Sequence, residues 1–308
     1  MKSNRSSRLL LMVLCAVLVT ILFPVTASAD MGPKPSVRVY FENMDGVLCY
    51  GTLLSETEST AGPWDAWNAD AQLAHYKENP EVSSASLYYE IWKAFVDYED
   101  TDGYYFLQEG WTVSDTQGIE WTYGPPNRFK ILLYFPDTDT FVVSGIYERY
   151  AFDTYYTVDM AGVDPTSVAY GEEAIFARRS YDYGGEIASF FARVLITIAL
   201  EIAIARIFKF TQKKQLLLLI WVNGTTQILL NVLLNVFNYK SGPWAFIAGY
   251  VLLEMVVFVV EAVVYCSWMR KASDQPGKKR TYVAYALVSN AVSFFAGMVI
   301  ARMLPGVF

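Results

Sequence analysis

Two glutamates, Glu254 and Glu261, stand seven residues apart in the apolar run YVLLEMVVFVVEAVVY (250–265), on one face of any helix the run forms. A carboxylate in hydrocarbon is costly, so it implies either cation or proton binding or a hydrogen bond that sets helix register. Neighbouring apolar runs carry matching groups. Counted at 1.5 Å per residue from the basic ends of the runs, Glu201, Asn223, Glu261 and Asn290 reach one depth, roughly 12–14 Å, one per run. Arg193, Asn231 and Glu254, with Gly297, reach a second layer at about 24 Å. Equal depth makes Arg193 and Glu254 an expected ion pair. The first layer reads either as a cation or proton site or as a hydrogen-bonded lock between helices, and both readings stay open. Ser289, Ser293, Gly297 and Ala301 form a small-residue stripe that lets another helix approach, which turns the polar layers inward. These runs hold no histidine and neither His-Glu-x-x-His nor Glu-Glu-x-x-x-Arg, so intramembrane proteolysis is not supported.

Chemistry elsewhere is sparse. His75 is the only histidine and no Gly-x-Ser-x-Gly surrounds a serine, so nothing supports a Ser-His-Asp hydrolase. YEDTDGYYFLQE (98–109) places Asp100, Asp102, Gly103 and Glu109 at calcium-loop positions, but Tyr98 stands where the first aspartate belongs. An Asp-Gly turn leaving a helix is the preferred reading, with calcium at Asp100, Asp102 and Glu109 the alternative. Trp64, Trp67, Trp111 and Trp121 are candidate stacking platforms for a carbohydrate, with burial in the core the competing reading.

The elements that must hold these residues fall into two classes. The 308 residues are 54% hydrophobic and 16% aromatic, too apolar for an ordinary soluble domain. Basic MKSNRSSR, the apolar run LLLMVLCAVLVTILF and PVTASAD predict an export signal cleaved after Ala29, which would remove Cys15 and leave Cys49 and Cys266 on opposite sides of a membrane, unable to pair. Residues 30–186 carry 27 acidic and 9 basic side chains, while residues 187–308 carry 4 and 12. So acidic an outer surface argues against nucleic acid and suits a cation, a sugar or plain solubility.

Four runs, about 187–208, 215–237, 244–266 and 281–304, have the length of a bilayer span. KFTQKK (209–214) and MRKASDQPGKKR (269–280) are basic connections and NYKSGP (238–243) is not, which puts the first two in the cytoplasm and residues 30–186 outside. The outer segment reads as mainly β. SVRVYFE and VLCYGTLL are expected to pair across Asp45-Gly46, FKILLYF and TFVVSGIY form a hairpin, and YAFDTYYTV is a further strand. SSASLYYEIWKAFVDYED places Leu87, Ile91 and Phe95 on one side of an amphipathic helix. The fold class is mixed: a β-rich outer domain, sandwich-like or α+β, then a four-helix membrane domain.

ASADMGPKPSV at the mature start, CYGTLLS, GPW, FKILLYFPDTDTF and YERYAFD resemble a recurrent family of exported Gram-positive bacterial membrane proteins with a DMGPKPS mature N-terminus. The resemblance implies an architecture and no catalytic residue. The expectation is therefore a cell-membrane protein that binds or senses a ligand in the envelope without catalysis or cofactor. Its partners would be the bilayer and a ligand such as a carbohydrate or cation, with a membrane partner or homo-oligomer as a further expectation. A small cation- or proton-coupled transport component using Glu201, Glu254 and Glu261 is the alternative.

Overall fold

The computed structural model describes residues 34–44, 46–66, 74, 89–113, 118–274 and 276–303, with side chains to residue 296. The export signal, Trp67, His75 and Leu87 lie outside the described residues. The chain divides into two compact units, one covering Pro33–Tyr181 and the other containing Asp182–Phe308.

The first unit holds strands β1 (Ser36–Glu42), β2 (Cys49–Ser55), β3 (Trp111–Val113), β4 (Ile119–Trp121), β5 (Arg128–Phe135), β6 (Thr140–Ser144), β7 (Tyr147–Glu148), β8 (Asp153–Asp159), β9 (Glu173–Ile175) and β10 (Ala177–Arg179), with one helix, α1 (Tyr89–Asp97). One sheet runs β10-β8-β1-β4 and the other β3-β2-β5-β6-β9, with β7 against the start of β5. Both sheets are mixed, since β1 lies parallel to β8 and β6 parallel to β9. Val37, Val39, Phe41 and Val158 of the first sheet pack against Leu53, Ile131, Leu133 and Val142 of the second. On the opposite face of the second sheet, Ile91, Trp92 and Phe95 of α1 cover Leu54, Leu132 and Tyr134. The unit is thus a sandwich with a helix as a third layer, so both sequence readings hold in part. Period-two alternation explains why β5 is apolar on both faces: Ile131, Leu133 and Phe135 meet the first sheet, Leu132 and Tyr134 the helix.

Two strand expectations are corrected. β1 and β2 do not pair. Gly46, at φ +71°, turns the chain from one sheet into the other, and β1 takes β4 and β8 as neighbours. The β5–β6 hairpin forms with Leu132 opposite Val143, but TFVVSGIY breaks at Gly145 into β6 and β7. Cys49 is buried and free, and burial pushes its thiol above the usual range. Cys266 is also free.

The second unit contains α2 (Tyr183–Ile207), α3 (Lys213–Ser241), α4 (Pro243–Val264, continued by a π turn to Met269) and α5 (Lys279–Met303). Three stretches, Tyr183–Ile207, Lys213–Ser241 and Pro243–Met269, are long and apolar enough to cross a membrane. α5 packs on α2 and α4. The helices begin where local chemistry dictates. The Asp182 side chain accepts from the Gly185 amide at 2.9 Å, and Pro243 opens α4 after Gly242 at φ +80°.

The unit is polar inside and apolar outside. Ile187, Phe191, Leu195, Trp221, Leu229 and Phe295 face outward, while Arg193, Glu201, Asn223, Gln227, Asn231 and Glu261 are buried. Water would favour the reverse arrangement, and a bilayer favours this one. This is a membrane protein with an additional β-rich unit.

Candidate functional site

Four helices place the first polar layer, each presenting it on its inward face. Glu201 on α2, Asn223 on α3 and Glu261 on α4 are fully buried, and Asn290 on α5 is 6% exposed. Both Glu261 oxygens are occupied: Asn290 Nδ2 donates to Oε2 at 2.7 Å and Thr226 Oγ1 to Oε1 at 2.8 Å. Asn223 Nδ2 donates to the Tyr265 hydroxyl at 2.8 Å. Tyr285 OH donates to Glu201, reaching its carbonyl at 3.2 Å and Oε2 at 3.4 Å. The Tyr265 and Tyr285 rings, 5.4 Å apart, close the space between these groups. The network therefore joins α3 to α4, α4 to α5 and α2 to α5.

Its chemistry is unusual in one respect. Every donor to the two carboxylates is a neutral Asn, Thr or Tyr. Three buried acceptors, Glu201 Oε1, Asn223 Oδ1 and Asn290 Oδ1, have no hydrogen-bond partner. Such oxygens suit a proton on a carboxyl or a bound cation, and desolvation makes them costly otherwise.

The second layer surrounds a small cavity. Arg193, Gln227, Asn231, Tyr250, Glu254 and Ser293 line about 20 Å³, enough for one water. Arg193 and Glu254 thus share a site, but not as the direct pair expected. Arg193 Nε donates to the Ser189 carbonyl of its own helix at 3.3 Å, and Glu254 Oε2 is buried with no hydrogen-bond partner. Gly297 of this layer and the side chains that follow it lie outside the residues whose side chains the structure describes.

The candidates of the β unit fall in other places. Asp100 and Asp102 both hold Lys130, a 1% exposed lysine of β5, with Asp100 Oδ1 at 2.9 Å from its Nζ. Asp100 Oδ2 also accepts from the Asp102 and Tyr104 amides, the Asx turn expected where the helix ends. A lysine ammonium therefore occupies the position that the calcium reading reserved for the ion. Burial pulls Lys130 down, but its bonds to Asp102 and Asp100 outweigh this and leave it above the ordinary lysine value. Among the described residues no group of three or more His, Cys, Asp or Glu is placed to hold a metal, so Glu109 does not join the two aspartates. Burial pushes Glu109 up to about 7.

Trp64, Trp111 and Trp121 pack together, Trp64 and Trp111 half-buried against Trp121. Trp121 is 1% exposed, with Trp64 edge-on at 6.0 Å and Trp111 at 5.3 Å. The indole N–H groups of Trp64 and Trp121 both donate to the Tyr123 carbonyl, at 2.9 and 3.1 Å. What they position is a pocket of about 510 Å³ beside Tyr123, a volume in the usual range for small-molecule sites. Gly124 at φ +60° makes one wall possible, since a Cβ there would lie 2.5 Å from the Gly62 nitrogen. Lys34, Arg128 and Arg149 line this pocket with a single carboxylate, Glu56.

Sequence reasoning missed Thr226, Tyr265, Tyr285, Lys130 and Arg149. Three of them were visible as spacing: Thr226 is three residues after Asn223, Tyr265 four after Glu261, and Lys130 interrupts the apolar strand FKILLYF. Comparison with family models, with curated proteins and with solved structures finds no match to this chain.

Proposed function

We propose that this chain is a non-enzymatic binding or sensing protein of the cell envelope, its β-rich unit outside the cytoplasm and its helices forming a four-span membrane domain. The observation that carries the reading is the pocket beside Tyr123, a preformed and charged cleft built on a rigid two-sheet scaffold. The sequence supports this topology through the signal-like residues 1–29, the basic connections 209–214 and 269–280, and the motifs that resemble exported Gram-positive membrane proteins. α5 serves as the fourth span, because its inward stripe of Tyr282, Tyr285, Ser289 and Asn290 is buried against the other helices. In this reading the Glu261 network is a lock: its donors tie helix to helix and set register. A screen of the full-length protein in nanodiscs against glycans, small anions and metal ions tests the proposal. Saturable binding of one class supports it, and no ligand in any class leaves anchoring alone.

A second reading follows from the unpartnered oxygens of Glu201 and Glu254, which favour a cation- or proton-coupled transport component using Glu201, Glu254 and Glu261. The double variant Glu201→Gln/Glu261→Gln separates the two. Loss of ion flux in proteoliposomes with folding intact establishes transport, whereas unchanged flux removes it.

A further inference from the structure

The first unit is acidic, yet its pocket is not. Residues 30–186 carry three acidic side chains for each basic one, 27 against 9, while the pocket lining inverts the ratio with Lys34, Arg128 and Arg149 against Glu56. The three cations are not equivalent. Arg128 is already held on two sides, by Glu56 at 3.2 Å and Glu148 at 3.4 Å. Lys34 lies over the Tyr123 ring at 5.2 Å. Arg149 is half-buried, its backbone amide is fixed to the Asn127 carbonyl at 2.8 Å, and among the described residues no carboxylate forms an ion pair with its guanidinium. Burial draws its pKa downward, as desolvation of a cation without a counter-charge does. A guanidinium remains charged even so, and a partly desolvated charge gains from a partner of opposite sign.

We infer that the pocket binds a small organic oxyanion, a ligand carrying a carboxylate or phosphate group, with Arg149 as its principal anchor. The planar fork of arginine offers two parallel N–H donors to such a group. Tyr123, Pro125 and Pro126 give the ligand's remainder an apolar wall, and Ser55 and Thr60 line the cleft with hydroxyls. The acidic exterior is compatible with this, because surface charges beyond about 8 Å are screened at physiological salt while the pocket's own charges act at contact. This inference rests on the binding reading above and names the ligand class of that same site.

The test is calorimetry on the full-length protein in nanodiscs with sodium phosphate and sodium succinate, at constant ionic strength set with sodium chloride. Saturable heat from phosphate or from succinate, absent with chloride, is expected, and the stronger of the two identifies the preferred oxyanion. Arg149→Gln is expected to weaken that binding at least tenfold, with Arg149→Lys in between. Glu56→Gln removes the one carboxylate in the pocket lining and leaves Arg128 held by Glu148 alone, so it is expected to tighten binding about threefold or more, a gain that misfolding cannot imitate. Equal affinity in Arg149→Gln that retains the wild-type melting temperature overturns the inference, as does a Glu56→Gln protein that binds no tighter. If neither anion binds but a neutral glycan does, the inference falls and the binding reading stands. If nothing binds, both fall.

Discussion

Lys130 in β5 and Glu261 in α4 are both buried to within 1%, and the two units meet those charges by opposite means. In the β unit a full counter-charge stands against the buried one: Asp100, itself 0% exposed at the side chain, lies 2.9 Å from the ammonium. In the helical unit the carboxylate receives an amide and a hydroxyl, both neutral. An ion pair removes its own net charge and needs nothing from outside. A carboxylate with neutral donors has no counter-charge to cancel its own in a low-dielectric interior, so its state stays sensitive to a proton or a cation. The first arrangement suits a scaffold, and the second leaves room for a response.

The largest expected effect lies on the scaffold side. Lys130→Met strands Asp100 in the interior, and loss of one member of a buried pair costs about 3–5 kcal/mol. Thermal unfolding of the full-length protein should show the β unit melting well below the wild type. Adding Asp100→Asn neutralises the stranded charge while an amide oxygen remains to serve the Asp102 and Tyr104 amides, so the double variant should recover more than half of the loss. A near-neutral Lys130→Met would erase the contrast between the units.

On the helical side the same experiment should cost less. Asn290→Leu removes one donor from Glu261 and leaves Thr226 in place. Interhelical hydrogen bonds in membranes contribute on average about 0.6 and at most about 1.7 kcal/mol, so a loss of about 1 kcal/mol is expected. A cycle pairing Asn290→Leu with Glu261→Leu in unfolding assays in bicelles should give a coupling of similar size. A coupling as large as that of Lys130 with Asp100 would mean that Glu261 is held as a full charge, and would sharpen the case for the transport reading.

The two units were also unequally legible. Helix positions followed from hydrophobic run length: 215–237 and 244–266 lie inside Lys213–Ser241 and Pro243–Met269, and depth counting brought Glu261 to Asn290. In an antiparallel bundle, depth along the axis nearly determines which layers meet. Azimuth is not encoded in depth, which is why Arg193 bonds Ser189 and not Glu254. The β unit was harder because strand partners are chosen over long separations. The β5–β6 hairpin is local and was read, whereas the parallel alignment of Val39 with Tyr156 joins residues more than a hundred positions apart and leaves no periodic trace. The pocket escaped for the same reason. Lys34, Tyr123 and Arg149 come from distant stretches, and only the fold brings them together.

Glu109 supplies an intermediate case, and its effect is the smallest. It stands in the β unit, yet burial alone raises its carboxyl to about 7 from an ordinary 4.5, with no charged group contributing. Folding therefore favours its protonated form. The stability this group contributes is fully present below about pH 4.5 and is lost as pH rises through 7. Glu109→Gln imitates the protonated carboxyl, so it should melt close to the wild type at pH 5 and above it at pH 8. Taking the difference between the two proteins at each pH cancels the titration of every other group. A Glu109→Gln protein more stable than the wild type by the same margin at pH 5 and pH 8 would show that Glu109 is already ionised at pH 5. Glu109 would then join Arg149 as a partly buried charge that the β unit leaves without a counter-charge.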